Sequence, residues 1–189
     1  MTENIGRILR RVVDIRTGGD VKRCHGIRYD GSYTVAQHTW GALVLLLVLF
    51  PEYYDRLSRY LLCHDVPEAW IGDVPAPTKR FSRAVKTACD EMEEKIFRRL
   101  EMPYDGDLSA EDQRVLKACD HLELYLWAQE QIYGGNRHAT CVARELESYF
   151  DESSLLEPAQ SLYQTTRDFG QDGAIEHSTD ALIRELNND

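Results

Sequence analysis

The sequence predicts an all-α fold, a single helical bundle spanning residues 1–189. Three observations carry this. Almost every apolar periodicity follows helical spacing, and no run alternates as a half-buried strand would. Two capping-box-like starts, Thr34-Val35-Ala36-Gln37 and Ser109-Ala110-Glu111-Asp112, mark helix N-termini. A chain of 189 residues without repeats or low-complexity linkers suits one domain with a substantial buried core.

The elements follow in order. A first helix includes Ile5, Ile8, Leu9, Val12 and Val13 and stops near Gly18-Gly19. Residues 20–33 form a loop punctuated by Gly26 and Gly31. Thr34 then caps a helix running to Phe50, which puts His38 in its first turn. Its apolar run, residues 42–50, is shorter than the roughly 20 residues a membrane span requires and ends at Pro51, so it reads as a buried core helix. A third helix over residues 53–63 delivers His64-Asp65 near its C-terminal end. Residues 72–79 are expected to be a loop, because two prolines so close preclude a continuing helix. The next helix takes residues 83–100 and is broken by residues 103–107. Ser109 opens a long helix that carries Asp120 and ends near Gly134-Gly135-Asn136. Another helix runs through Phe150, and a shorter acidic amphipathic segment follows Gly173.

Composition narrows the function. The chain carries 22 Lys+Arg against 32 Asp+Glu, a formal charge of -10. Such a surface repels polynucleotides and anionic membranes, so neither a nucleic acid polymer nor a membrane is an expected partner. A small phosphorylated ligand is compatible, because a few basic side chains create a local positive pocket. Five cysteines (24, 63, 89, 119 and 141), an odd number with no C-x-x-C, fit a reducing cytosol and read as small core residues. Residues 1–20 hold no secretory signal pattern, and the protein is expected in the cytoplasm.

The most informative feature is an ordered set: His38, then His64-Asp65, then Asp120, each on a different expected helix. Taken alone, His38 reads as a helix-start histidine bonded to backbone, and Asp120 as an ordinary helix residue. Yet Leu116 and Leu124, four residues either side of Asp120, turn it toward the apolar face, where an ionised carboxylate needs a cation or several donors. Two imidazoles and two carboxylates suit a divalent metal, Zn, Mn, Co, Ni or Fe(II), without selecting one of them, and leave Mg possible. Glu68, four residues after His64, shares its face if the helical turn continues, and is a candidate general base. Asp73 follows in the loop as a candidate for protonating the leaving oxygen or positioning the nucleophile. Glu68 and Asp73 together could also recruit a second ion. Arg23 and Lys79 are candidate phosphate contacts, with Lys22, Arg28 and Arg80 lesser ones. His121 is expected to face elsewhere, His138 and His177 to lie on the surface, and His25 is ambiguous. The absence of H-E-x-x-H argues against a zinc protease.

At this point the chain resembles the HD-domain phosphohydrolases, whose signature is H…HD…D. More narrowly, His64-Asp65-Val66-Pro67-Glu68 followed by Gly72-Asp73-Val74-Pro75-Ala76-Pro77-Thr78-Lys79 is similar to bacterial 5′-deoxynucleotidases and to phage dATP triphosphohydrolases. The similarity covers about residues 15–150, with a C-terminal helical segment beyond it. The resemblance implies His38, His64, Asp65 and Asp120 as metal ligands, Glu68 and Asp73 as catalytic carboxylates, and Arg23 and Lys79 as phosphate contacts. It implies a deoxynucleotide substrate, a homo-oligomer and, for a phage-encoded protein, the host cytoplasm. Two substrate-binding positions depart from the pattern: Cys24 stands where the family usually has Trp, and Gly26 where adenine-preferring enzymes carry a bulky residue. The leading expectation is conversion of a dNTP, foremost dATP, to deoxynucleoside and triphosphate. Hydrolysis of deoxynucleoside monophosphates is the alternative, and a non-catalytic helical assembly module is the alternative of another class.

Overall fold

The computed structural model describes residues 4–152 and 156–172. Their helices, in chain order, are α1 (Ile5–Gly18), α2 (Val35–Leu49), α3 (Pro51–Cys63), α4 (Glu68–Ile71), α5 (Ala76–Phe81), α6 (Arg83–Arg99), α7 (Ala110–Tyr133), α8 (Thr140–Glu152) and α9 (Ala159–Asp172), with 3-10 turns at Asp105–Asp107 and Arg137–Ala139. Among the described residues the fold is all-α, and the nearest approach to a strand is one antiparallel bridge between Lys22 and Thr34. No described helix is long and apolar enough to cross a membrane.

Helix α7 is the axis, packing against α2, α3, α8 and α9. Its buried Val115, Leu116, Cys119, Leu122 and Tyr125 meet Leu45, Leu46 and Phe50 of α2, Leu57 and Leu61 of α3, Phe150 of α8 and Tyr163 of α9. A smaller cluster of Cys63, Val66, Phe97, Leu100 and Met102 seats α6 beneath the His64-Asp65 turn.

Several local expectations are corrected. Helix α3 begins at Pro51, whose missing N–H costs nothing in a first helical turn. The same physics overturns the loop expected at residues 72–79. Pro75 caps α5 and Pro77 sits in its first turn, so the two prolines start a helix that they could not have continued. Helix α9 lies where only an undivided C-terminal helical segment beyond residue 150 was expected, and the acidic segment after Gly173 lies outside the described residues. Helix α2 is not buried all round: Ala42, Leu45 and Leu46 face the core, while Trp40 (71% exposed), Val44, Leu47 and Val48 form an outward apolar face. Cys63, Cys89 and Cys119 are buried as expected, but Cys24 is half-buried and Cys141 exposed.

Candidate metal centre

The ends of two helices and the middle of a third converge on a single point, with one loop at the rim. Thr34 and Gln37 form the reciprocal capping box, Thr34 N donating to Gln37 Oε1 at 2.9 Å and Gln37 N to Thr34 Oγ1 at 3.4 Å. This cap fixes the first turn of α2 and buries His38 completely. His64 caps the C-terminus of α3, where its Nδ1 donates to the Leu61 carbonyl at 2.5 Å. Asp65 follows it, and Asp120 projects from the middle of α7.

With their Nδ1 atoms occupied elsewhere, the two imidazoles present their Nε2 atoms to each other at 3.3 Å. His64 Nε2 lies 3.1 Å from Asp65 Oδ2 and 3.7 Å from Asp120 Oδ1. His38 Nε2 lies 2.9 Å from Asp120 Oδ1 and 3.7 Å from Asp65 Oδ2. Ligand atoms of His38, His64 and Asp65 all fall within 4.8 Å of one another. Two imidazole nitrogens and two carboxylates facing inward are a donor set that fits a divalent cation.

The electrostatics are tightly balanced. Burial works against charge on His64, but Asp65 and Asp120 outweigh it and hold its pKa well above the ordinary histidine value. Burial likewise opposes ionisation of Asp120, yet hydrogen bonds from His38 and His64 keep its carboxyl well below the usual range. Glu68 goes the other way. Burial first, then the Asp65 charge, push it up to about 8.

The loop of residues 20–33 delivers Arg23 to the rim. Arg23 N donates to the Tyr33 carbonyl at 2.9 Å, and Tyr29 Oη donates to the Arg23 carbonyl at 3.1 Å. Its guanidinium touches Asp65 and lies 3.6 Å from Glu68 Oε1. Arg23 Nε and Glu68 Oε2 are both buried without a protein hydrogen-bond partner. Asp73 Oδ2 accepts the Cys24 N–H at 2.9 Å and lies 3.5 Å from His25 Nδ1, so it ties this loop to the segment before α5. Cys24 has φ 54°, a left-handed backbone that a non-glycine residue adopts only when held there.

Not every expected residue joins the cluster. The chain after His64 does not continue α3: Glu68 N bonds the Asp65 carbonyl at 3.0 Å in a tighter turn, and Glu68 meets Arg23 instead of sharing a helix face with His64. Lys79 is ion-paired with Glu93 of α6 at 3.2 Å, a partner that no local sequence signal marks. Gly26 is exposed, and a Cβ there would meet nothing within 4 Å. His121, expected to face away, has Nε2 3.8 Å from Asp120 Oδ2 and its ring edge-on to Tyr149. His138 is exposed as expected, and His177 lies outside the described residues. Sequence reasoning also missed Glu123, which contacts His38 Nδ1. Its signal was its place three residues after Asp120, on the same face of α7.

Comparison with known proteins adds lineage to geometry. The family described as 5′-deoxynucleotidase YfbR-like matches residues 19–165. The dATP triphosphohydrolase of Salmonella phage PMBT28 is 28% identical over 144 residues, covering 66% of this chain and 70% of the phage protein. The 5′-deoxynucleotidase PM0747 of Pasteurella multocida (strain Pm70) is 27% identical over 107 residues, covering 50% of this chain and 55% of that protein. Two solved structures share the fold. The PH0347 protein from Pyrococcus horikoshii OT3 superposes with a TM-score of 0.63 at 20% identity, covering 86% of this chain and 98% of that one. The cyanophage S-2L HD phosphohydrolase DatZ, bound to dA and one catalytic Zn2+ ion, superposes with a TM-score of 0.60 at 16% identity, covering 90% and 98%.

Proposed function

The chain belongs to the YfbR-like 5′-deoxynucleotidase family, and from that premise we propose that it is a metal-dependent phosphohydrolase of deoxynucleotides, converting dATP and water to deoxyadenosine and triphosphate. The observation that carries the reading is the convergence of His38 Nε2, His64 Nε2, Asp65 Oδ2 and Asp120 Oδ1. These four residues would hold the cation. When bound, it supplies Lewis acidity toward a phosphate oxygen and lowers the pKa of the attacking water. Zn, Co and Mn suit the nitrogen-containing set, with Mg at that site or at a second one by Glu68 and Asp73.

The chain's own groups do the rest. Arg23 and Lys79 neutralise non-bridging oxygens; for Lys79 this requires exchanging Glu93 for a phosphate. Glu68, in its ionised form, takes the proton of the water as its oxygen bonds to the α-phosphorus. The bond from phosphorus to the 5′-oxygen breaks, and Asp73 assists that oxygen as it leaves. Cys24 and Gly26 contribute no bulk beside the substrate, so base and sugar preference rest on backbone and loop shape. Hydrolysis of dAMP to deoxyadenosine and phosphate is the second reading, favoured by the family description and by the Pasteurella relative. All five cysteines are free thiols, which supports a reducing cytoplasm. The outward apolar faces of α1 and α2 support a homo-oligomer.

The test is a panel of dNTPs, NTPs and dNMPs with each of Co, Mn, Zn, Ni and Mg. Triphosphate from dATP is expected; inorganic phosphate from dAMP would favour the second reading. Asp65→Ala should lower turnover to background while circular dichroism remains helical. Retained turnover in that variant, or none in the parent with any metal, would overturn the proposal.

A further inference from the structure

Glu123 lies beside the cluster and plays no part in the reaction just described. Its Oε2 accepts two hydrogen bonds, one from His38 Nδ1 and one from Tyr33 Oη at 2.6 Å. Tyr33 Oη is also 3.2 Å from His38 Nδ1, the separation expected of two donors sharing one acceptor. Tyr33 is held in turn: its ring stacks on Trp127 of α7 at 4.3 Å between centroids and 11° between planes. The space for Glu123 depends on Gly41, one turn after His38. A Cβ at Gly41 would stand 2.7 Å from Glu123 Cγ and 3.0 Å from Oε1.

An imidazole binds a metal through the nitrogen that lacks a proton, and the hydrogen bond at its other nitrogen decides which one that is. Resting on the reading that His38 is a metal ligand, we propose that Glu123 is its positioning residue. By accepting the Nδ1 proton it fixes the ring and keeps the Nε2 lone pair directed at His64, Asp65 and Asp120, with Tyr33 and Gly41 holding Glu123 in place.

The experiment titrates metal-stripped full-length protein with Co2+, followed by visible absorption, for the parent, Glu123→Gln and Glu123→Leu. Imidazole N–H signals of the Zn-loaded parent are recorded alongside by NMR. Glu123→Leu should bind Co2+ about 10- to 100-fold more weakly at unchanged helicity. Glu123→Gln, whose carbonyl still accepts the proton, should fall between it and the parent. The parent should show a slowly exchanging proton on His38 Nδ1. Parent-like affinity in Glu123→Leu, or a spectrum placing the metal on His38 Nδ1, overturns the inference alone. A parent that takes up no Co2+ overturns the metal reading with it. If Glu123→Leu loses its helicity, Glu123→Gln and the parent spectrum decide.

Discussion

Glu68 is held in the fold at a cost that depends on pH. Its carboxyl is raised from an ordinary value of 4.5 to about 8 by burial and by Asp65, and one of its oxygens is buried without a partner. The native state therefore binds more protons than the unfolded chain across that interval, and stability falls as pH rises through it. Glu68→Gln removes the penalty. In chelator, the variant should melt at least about 2 °C above the parent at pH 8.5, with the gap closing by pH 5. Turnover should drop at least about 100-fold. Equal melting temperatures at pH 8.5 would contradict the account. Much of the centre was legible at this scale, because His38, His64-Asp65 and Asp120 form an ordered pattern whose residue types carry their chemistry. Glu123 and Glu93 were not. Glu123 shares a face of α7 with Asp120, but that spacing does not name the partner it meets, and both partners here come from other elements.

Among the elements, α2 was the most readable and α9 the least. The Thr34 cap was written in four consecutive residues, and it sets the turn that aims His38. Thr34→Ala should cost about 1 kcal/mol and lower the melting temperature by about 2–4 °C, measurable by circular dichroism. An unchanged melting point would show that packing of α2, and not its cap, sets the turn. Helix α9 lacks such local signals. Its Thr165 and Thr166 hydroxyls bond back to the carbonyls of Ser161 and Leu162, a habit of poor helix formers, and the helix is held by Tyr163 buried against Tyr125 and Phe150. The segment of residues 72–79 misled for a complementary reason. Proline ends a helix but also starts one, and only the packing of α5 on α6 decides which.

At the scale of the molecule, the acidic surface was legible from composition, but the distribution of apolar surface was not. Ile5, Leu9, Val12 and Val13 of α1 are exposed, as are Trp40, Val44, Leu47 and Val48 of α2, each set spaced along one helical face. Such faces mark association surfaces. The double variant Trp40→Glu, Val44→Glu should sediment as a smaller species than the parent while staying helical. A parent that sediments as a monomer at every concentration tested would rule self-association out.

Gly18 gives that surface a second meaning. A Cβ there would stand 2.8 Å from Val66 Cα, so the end of α1 rests directly on the backbone of the turn that carries His64 and Asp65. Whatever clamps the outer side of α1 therefore also braces the His64-Asp65 turn from behind. Were a second copy of the chain to cover α1, separating the copies would remove that brace, and specific activity would then depend on dilution.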